Sequence, residues 1–314
     1  MPDISPKTRP AHSPTVRCRH VNHWSPTLLF TSFGLAGLQA AEPSADEFYL
    51  RDTVQTIRLT ISKGNLQKMH DSLPERIYVP GNFRWGDVKL KNVGIRYKGN
   101  SSSRPEQRHK RSFLIKVNEF EKGTRFLGLR RIALDNGVQF GSLFSEPVIT
   151  DILRAEGIPA SRYNYARVFL NDKFIGVYGN VERIDESFVA THFPGKKGPL
   201  YKVHMPGPGA MLNYAGDDVN EYKKAFKPKT NAADKKYDEL IELFRDIELG
   251  LKTRDAAPLE QQLRMDEFLK TTAIMLFAGC FDQLTGWNPH NYYLYRHQGT
   301  GRWSYIPWDL DVGF

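Results

Sequence analysis

The sequence predicts an α+β fold in which a strand-rich first half is followed by a helical second half. Alternating apolar residues predict strands at 54–61, 88–97 and 112–117. Apolar residues at helical spacing predict helices at 237–251 and 265–281, the second of them mostly buried. Because strands and helices are segregated along the chain, we expect two layers with a cleft between them.

One more helix and two hairpins complete the prediction. The helix begins near Ser145, with Pro147 in its first turn, where a missing N–H costs nothing, and it ends at Gly157. Residues 194–236 are rich in Gly, Pro, Lys and Asp, so we expect loops there that contribute little to the core. The two hairpins join 166–170 to 174–181 and 292–295 to 303–306.

Composition and charge exclude several classes of protein. Hydrophobic residues make up 40% of the 314 residues and charged residues 25%, which provides material for a core and excludes a disordered chain. No apolar run reaches the roughly 20 residues of a membrane-spanning helix, so we expect no transmembrane span. Two cysteines, Cys18 and Cys280, cannot form a disulfide scaffold, and Cys280 is expected in the core. The basic residues are dispersed, so no nucleic-acid partner is expected.

Residues 1–41 are typical of a secretory signal peptide. Basic residues precede a short apolar stretch at 28–38, and small residues then stand directly before Glu42 and Pro43. We therefore expect a secreted or cell-envelope protein whose mature domain spans 42–314; a disordered cytoplasmic tail is the alternative. Cleavage would remove four basic residues and one acid, lowering the formal net charge from +9 to +6.

Polar side chains interrupt otherwise apolar stretches at three places. The loop at 99–104 offers glycine, asparagine and serines that could wrap anionic oxygens, although any surface turn has a similar composition. Asp282 follows a predicted helix and Asn291 precedes an aromatic strand, where both could also be turn residues. Asp309 and Asp311 alternate on one face after the last strand.

Together these places favour a site for phosphate and a hard metal ion. Acids beside apolar residues such as Trp308 are costly unless they are paired or bound to metal. Carboxylate and carboxamide oxygens suit Mg²⁺ or Mn²⁺ better than zinc. The chain contains no GxSxG motif, no Walker lysine motif and no CxxC pair.

These places, in this order, resemble the CotH kinase family of spore coat protein H-like atypical protein kinases. The resemblance covers roughly residues 50–314. It implies an atypical protein-kinase-like bilobal fold, with a strand-rich N-lobe at about 50–185 and a helical C-lobe at about 186–314. Family members usually continue further, so the C-lobe is expected to be truncated at residue 314. The matching segments are YKGNSS (97–102), KRSFLIK (110–116), FLGL (126–129), EGIPA (156–160), GVY (176–178) with ERIDE (182–186), and HNYYLY (290–295) leading to IPWDLD (306–311).

The resemblance also implies an activity, which is ATP-dependent phosphorylation of Ser or Thr in extracytoplasmic or coat proteins. In that assignment Asp282 is the catalytic carboxylate, and Asn291, Asp309 and Asp311 bind Mg²⁺ or Mn²⁺. The implied nucleotide-binding residues are Lys116 or its rival Lys110 at the phosphates, Gly99, Asn100, Ser101 and Ser102 in a phosphate-covering loop, and Glu182 at the hinge near the adenine.

Two other functions stay open at this stage. The first is a non-catalytic coat or adhesion module with a kinase-like fold, and the second is a kinase of a non-protein hydroxyl such as a sugar. The four site residues Asp282, Asn291, Asp309 and Asp311 are all present, which favours an enzyme over the first alternative. A panel of acceptors would separate the second alternative from a protein kinase.

Overall fold

The computed structural model describes residues 42–100, 103–138 and 142–314, and Pro43–Phe314 form one compact unit. The predicted signal peptide therefore lies outside the described residues and stays a prediction. The helices are α1 (Ala45–Phe48), α2 (Lys63–Asp71), α3 (Ser145–Ala155), α4 (Glu186–His192), α5 (Val219–Ala225), α6 (Tyr237–Thr253), α7 (Ala257–Gln262) and α8 (Met265–Phe277). The strands are β1 (Val54–Thr60), β2 (Val79–Trp85), β3 (Val88–Lys98), β4 (Ser112–Lys116), β5 (Arg131–Asp135), β6 (Tyr163–Leu170), β7 (Lys173–Val181), β8 (Leu200–Val203), β9 (Phe226–Pro228), β10 (Tyr292–Arg296) and β11 (Trp303–Pro307).

The first seven strands close into a barrel in the order β1-β2-β3-β4-β5-β7-β6. All neighbours are antiparallel except β1 and β6, whose parallel pairing closes the barrel. The turn between β6 and β7 places Asn171 and Asp172 at φ of +48° and +64°, the conformation that two-residue hairpin turns favour. Inside the barrel, Phe126 packs edge to face against Phe48 and Phe83, with ring centroids 4.8 and 4.9 Å away.

The remaining strands form a second sheet, antiparallel throughout, in the order β11-β10-β8-β9. Helices α3, α5, α6 and α8 contribute to the core that covers it, because each places apolar residues on the face turned towards the sheet. Helix α6 shows this most clearly, since its buried residues Leu240, Leu243, Phe244 and Ile247 share one face. This arrangement leaves the ends of β10 and β11 free to carry polar residues.

A third cluster of buried residues joins the barrel to the second sheet. Tyr163 and Val181 from the barrel pack there with Tyr293, Ile306 and Trp308 from the sheet region. Because this contact is apolar and buried, it holds one edge of the barrel against the ends of β10 and β11. The polar residues at those ends consequently face the barrel.

The predicted α+β composition and most predicted elements are confirmed, but two expectations are wrong. Residues 194–236 are not merely loops, because β8, α5 and β9 lie there and place Tyr201 and Phe226 in the core. Helix α8 ends at Phe277 and is not mostly buried, since the side chain of Phe277 is 77% exposed. Cys280 is buried, as expected. The division into two kinase lobes stays a prediction. In the part of the chain that the structure describes, no helix is long and apolar enough to cross a membrane.

Candidate active site at the barrel edge

A cavity of about 400 Å³ lies where the ends of three barrel strands meet the ends of β10 and β11. It brings together residues that are up to 213 positions apart in sequence. The residues predicted from the sequence that line it are Gly99, Asn100, Asp282, Asn291, Asp309 and Asp311. The cavity is therefore the candidate active site.

The barrel wall of the cavity consists of three polar residues on neighbouring strands. Lys98 of β3 stands opposite Ser112 of β4, and the Ser112 hydroxyl donates a hydrogen bond to Asp135 Oδ1 of β5 at 3.1 Å. Lys98 forms an ion pair with Asp135. Burial alone would lower the pKa of Lys98, but Asp135 and then Asp309 raise it overall, so the lysine is charged.

Gly99 and Asn100, which follow Lys98 directly, line the cavity and are fixed by their backbone and by Arg76. Gly99 has a φ of +89°, which residues with a Cβ rarely adopt. The guanidinium of Arg76 donates to the carbonyl oxygen of Gly99 at 2.8 Å and to the side-chain oxygen of Asn100 at 2.9 Å. Ser101 and Ser102 lie outside the described residues.

The end of α8 places Asp282 at the cavity. Gly279 adopts a left-handed φ of +69°, Cys280 N donates to Met275 O at 3.0 Å, and Gly279 N donates to Leu276 O at 3.2 Å. This pattern is a Schellman motif, which stops a helix and sends the chain off in a fixed direction. Asp282 then follows within three residues of the stop, and its Oδ1 accepts a hydrogen bond from Asn288 Nδ2 at 3.0 Å.

Asn291 and Asp309 are placed by the last hairpin. Trp308 N donates to Asn291 O at 2.9 Å, which continues the pairing of β10 with β11 by one step. Both Asn291 and Asp309 have left-handed φ values, +56° and +63°, a conformation that Asn and Asp tolerate better than most residues. Across the cavity, Asp309 Oδ1 lies 3.9 Å from Lys98 Nζ, so the two walls meet at this ion pair.

Gln283 was not found by sequence reasoning, although it ties these segments together. Its side chain is fully buried, and its Nε2 donates to Asn291 O at 3.0 Å and to Trp308 O at 2.7 Å. Its Oε1 accepts from the hydroxyl of Tyr305 at 3.2 Å. One carboxamide thus links the segments that carry Asp282, Asn291 and Asp309.

We expect the substitution Gln283→Leu to lower the free energy of unfolding by about 2–4 kcal/mol, because buried carbonyl and hydroxyl groups lose their partner. Urea denaturation followed by circular dichroism measures this change. Gln67→Leu is the matched control, since Gln67 is exposed and only bonds to Asp71 within its own helix. Equal stability of the two variants would contradict the role assigned to Gln283.

The cavity concentrates more negative than positive charge. Burial, with Asp309 and Asp135 nearby, raises the pKa of Asp311 to about 8. Burial, again with Asp135 and Asp309 nearby, raises the pKa of Glu146, which lies in the first turn of α3. Lys98 faces this group of acids from the barrel wall. A divalent cation is the kind of ligand that relieves such repulsion.

The donor set fits a metal ion that is shared with a phosphate. Among the described residues, no three His, Cys, Asp or Glu side chains are placed to hold a metal ion by themselves. Asp309, Asp311 and the carboxamide of Asn291 nevertheless line one cavity. Mg²⁺ usually takes only one or two carboxylates from the protein and completes its shell with water and substrate phosphates. The residues present therefore suit Mg²⁺ or Mn²⁺ bound together with a nucleotide.

Three residues predicted to bind the nucleotide lie elsewhere. Lys116 is at the far end of β4 from Ser112, where it pairs with Glu119 at 2.5 Å. Lys110 Nζ donates to the carbonyl oxygen of Val177 and packs over the ring of Tyr178. Ser112 and Lys116 lie on the same face of β4, but Lys116 is four residues, or roughly 13 Å, away from the strand end that forms the site. Lys98 lines the cavity, whereas Lys116 and Lys110 do not.

Glu182 also lies away from the cavity. It is fully buried, and its carboxylate accepts hydrogen bonds from Arg162, with Arg162 Nη2 at 2.6 Å, and lies 3.0 Å from His192 Nε2. Burial alone would raise the pKa of Glu182, but hydrogen bonds from His192 and Arg162 lower it overall. These contacts tie the residue before β6 and the residue after β7 to α4, and the role predicted for Glu182 near the adenine stays a prediction.

Two comparisons with known proteins show the family of this chain. The family model described as CotH kinase protein matches residues 95–314, which is more than half of the chain. The chain therefore belongs to the CotH kinase protein family, as its motifs predict. It is also similar to the protein named inner spore coat protein H of Bacillus subtilis (strain 168). The two are 26% identical over 256 residues, which are 81% of this chain and 67% of that relative.

Proposed function

We propose that the protein is a secreted or cell-envelope kinase that uses ATP with Mg²⁺ or Mn²⁺ to phosphorylate Ser or Thr in extracytoplasmic or coat proteins. The observation that carries the proposal is the 3.9 Å approach of Lys98 to Asp309 in a cavity that also contains Asn291, Asp311 and Asp282. Phosphoryl transfer mainly needs positioning and neutralisation of charge, and this set of residues supplies both.

The barrel wall would bind the phosphates. The charged ammonium group of Lys98 would contact phosphate oxygens, while its ion pair with Asp135 fixes its direction. The backbone at Gly99 and the carboxamide of Asn100 would cover the phosphates from the same side, held by Arg76. In this proposal Lys98 takes the role that the sequence motifs suggested for Lys116 or Lys110.

The sheet wall would hold the metal ion and act on the acceptor. Asn291, Asp309 and Asp311 would bind Mg²⁺ or Mn²⁺, which when bound neutralises charge on the phosphate oxygens. Asp282 would take the proton from the acceptor hydroxyl while the oxygen of that hydroxyl forms a bond to the γ-phosphorus. The bond from that phosphorus to the β–γ bridging oxygen breaks, and ADP leaves.

The relative and the mouth of the cavity both support a protein acceptor outside the cytoplasm. The relative's name places that protein in the inner spore coat, and the predicted signal peptide is consistent with a similar destination here. Phe281 and Trp287 line the cavity and stack with ring centroids 5.9 Å apart, and Trp287 is largely exposed. Exposed aromatic pairs of this kind are typical of surfaces that bind another molecule.

The proposal is tested by transfer of phosphate from labelled ATP in the presence of Mg²⁺ or Mn²⁺. Casein, a basic protein, a set of sugars and the chain itself serve as acceptors. Label on protein supports the proposal, whereas label on a sugar alone would favour a kinase of non-protein hydroxyls. A chain that binds no ATP and transfers no label would point to a non-catalytic module.

We expect Lys98→Met to lower transfer by roughly 100-fold or more, because a fixed cation at the phosphates is lost. Lys116→Met is the matched control, and it should keep wild-type transfer since Lys116 lies outside the cavity. The double variant Lys98→Met/Asp135→Asn removes both charges of the buried pair, so its fold can be compared with wild type by thermal unfolding. Loss of transfer in Lys116→Met but not in Lys98→Met would reverse the assignment.

A further inference from the structure

A second cavity, of about 410 Å³, lies next to the candidate active site and shares no lining residue with it. It continues along the same strands, because Arg96 lies two residues before Lys98 on β3 and Leu114 lies two residues after Ser112 on β4. Two residues correspond to about 7 Å along a strand. A ligand here would be close to the transferred phosphate but not at it.

Positive charge dominates this second cavity. Its charged lining residues are Arg96, Arg130, Arg131, Arg183 and Lys229 against Asp185, Glu186 and Asp234. Two of the acids are already engaged, since Asp185 pairs with Arg131 at 3.2 Å and Glu186 pairs with Arg130 at 2.6 Å. Arg183 and Lys229 have no ion pair of this kind among the described residues.

Arg183 has a buried hydrogen-bond donor that no described residue satisfies. Its guanidinium packs over the ring of Trp308, with Cζ 4.5 Å from the ring centroid. The Nε of Arg183 is buried and has no hydrogen-bond partner within the described residues. A buried donor without an acceptor is costly, so its presence calls for an explanation.

Two lysines, Lys202 and Lys229, add positive charge near Arg183. Lys202 Nζ lies 6.0 Å from the centroid of Trp308, and neither Lys202 nor Lys229 makes a hydrogen bond or ion pair through its ammonium group in the described parts of the chain. Burial, with Arg183 next in effect, lowers the pKa of Lys202 to about 7 and that of Lys229 to about 8. Arg183 and Lys229 thus line the second cavity, and Lys202 lies over the same indole as Arg183; none of the three has an ion pair among the described residues.

We propose that Arg183, Lys202 and Lys229 form an anion-binding subsite that takes a phosphate group other than the one being transferred. A phosphate offers several acceptor oxygens and a charge near −2, which would satisfy the orphaned Nε of Arg183 and neutralise two of the cations. The subsite is a binding property of this chain and does not depend on whether transfer occurs.

The chemistry of the cavity favours an anion over a neutral base. A purine ring prefers apolar faces, yet Leu114, Ile184 and Tyr78 are the main apolar side chains among fourteen lining residues. Retained, unpaired cations of this kind lower stability and are typical of functional sites. The phosphate could belong to the nucleotide's own chain or to a separate phosphomonoester, and both sources share this chemistry.

The test is calorimetric titration of the full chain with inorganic pyrophosphate in EDTA, without divalent metal. Under these conditions the candidate active site, which has Asp135, Asp282, Asp309 and Asp311 in its lining against Lys98, repels anions, so binding reports the proposed subsite. We expect the wild type to bind pyrophosphate, and Arg183→Met and Lys202→Met to bind at least tenfold more weakly. Because Lys202→Met removes an unpaired, half-buried charge, it should unfold at the same temperature as wild type or higher.

Lys227→Met is the matched control, since Lys227 is a nearby exposed lysine on β9 whose Nζ donates to Lys223 O at 2.9 Å. It should bind pyrophosphate as the wild type does. Absence of metal-independent binding in the wild type, or equal binding by Lys202→Met and Lys227→Met, would overturn the proposal. A loss of ATP-dependent transfer with intact pyrophosphate binding would count against the kinase proposal only.

A second titration identifies the source of the phosphate. Pyrophosphate is titrated into the protein before and after saturation with ADP and Mg²⁺. If ADP abolishes pyrophosphate binding, then the nucleotide's own phosphates occupy the subsite. If both bind together, then the subsite takes a separate phosphomonoester, and phosphoserine can be used as the next probe.

Discussion

Replacing Asp309 with alanine is expected to abolish metal-dependent ATP binding while leaving the protein folded. Binding of ATP with Mg²⁺ should weaken by roughly 100-fold or more, because a carboxylate that holds the metal at the phosphates contributes several kcal/mol. Loss of the Asp309 charge should not lower the free energy of unfolding, because Asp309 repels Asp311 and is one of the acids that raise the pKa of Asp311. Calorimetric titration with ATP and Mg²⁺, together with thermal unfolding, measures both effects.

Asp172→Ala is a close control for this variant. Asp172 has a φ of +64° against +63° for Asp309, so alanine meets the same backbone strain at both positions. Each acid also makes one long ion pair, Asp172 with Arg58 at 3.4 Å and Asp309 with Lys98 at 3.9 Å. Unchanged ATP titration in Asp309→Ala would remove Asp309 from the site.

Asp282→Asn should separate binding from chemistry. We expect nucleotide affinity close to that of the wild type, because Asp282 is not among the proposed metal ligands. Transfer should fall by about 10²- to 10⁴-fold, the usual contribution of a positioned general base. The asparagine oxygen can still accept the hydrogen bond from Asn288 Nδ2, so the local structure is preserved. Phosphate transfer and nucleotide titration on the same preparation give the two numbers.

Asp266→Asn provides the reference for this second variant. Asp266 lies in the first turn of α8, is largely exposed and forms a surface ion pair with Lys270 at 3.3 Å. Such a pair contributes little, so both binding and transfer should stay unchanged. Preserved turnover in Asp282→Asn would show that another group takes the proton.

The acidic half of the site could be predicted because short, strong local signals fix its residues. Asp282 stands after a glycine helix stop, and Asn291 and Asp309 stand at the two ends of an aromatic hairpin. Where an element ends is a local property of the chain. The meeting of three such ends in one cavity follows from the pairing of β10 with β11.

The basic half could not be predicted from the same kind of signal. Alternation along β4 gives the face on which Lys116 lies, but not which end of the strand reaches the site. That choice depends on the register of β3 with β4, where Lys98 stands opposite Ser112 and Gly94 opposite Lys116. Register is set by distant strands of the barrel. The position of Lys98 directly before Gly99 is the one local feature that could have indicated it.

The hydrogen-bond partners of buried polar residues could not be predicted from the sequence either. Glu182 looked like a hinge residue because the segment around it matched the family motif, yet Arg162 and His192 surround its carboxylate. Gln283 belongs to none of the motifs identified in the sequence, yet it is fully buried and bonded to Asn291 and Trp308. A polar residue's partners come from contacts that are remote in sequence, which one chain's composition does not show.

The closure of the barrel by β1 and β6 bears on where this protein can be cut. The family match begins at residue 95, inside β3 (Val88–Lys98), so a fragment with that boundary would lose β1, β2 and most of β3. Strand β6 would then expose the edge that β1 covers, and an uncovered edge invites pairing with other chains. Only four residues of β3, 95–98, would then remain to position Lys98. The family match gives the region that relatives share, whereas the smallest fragment suitable for expression must also include β1, because β1 closes the barrel by pairing with β6.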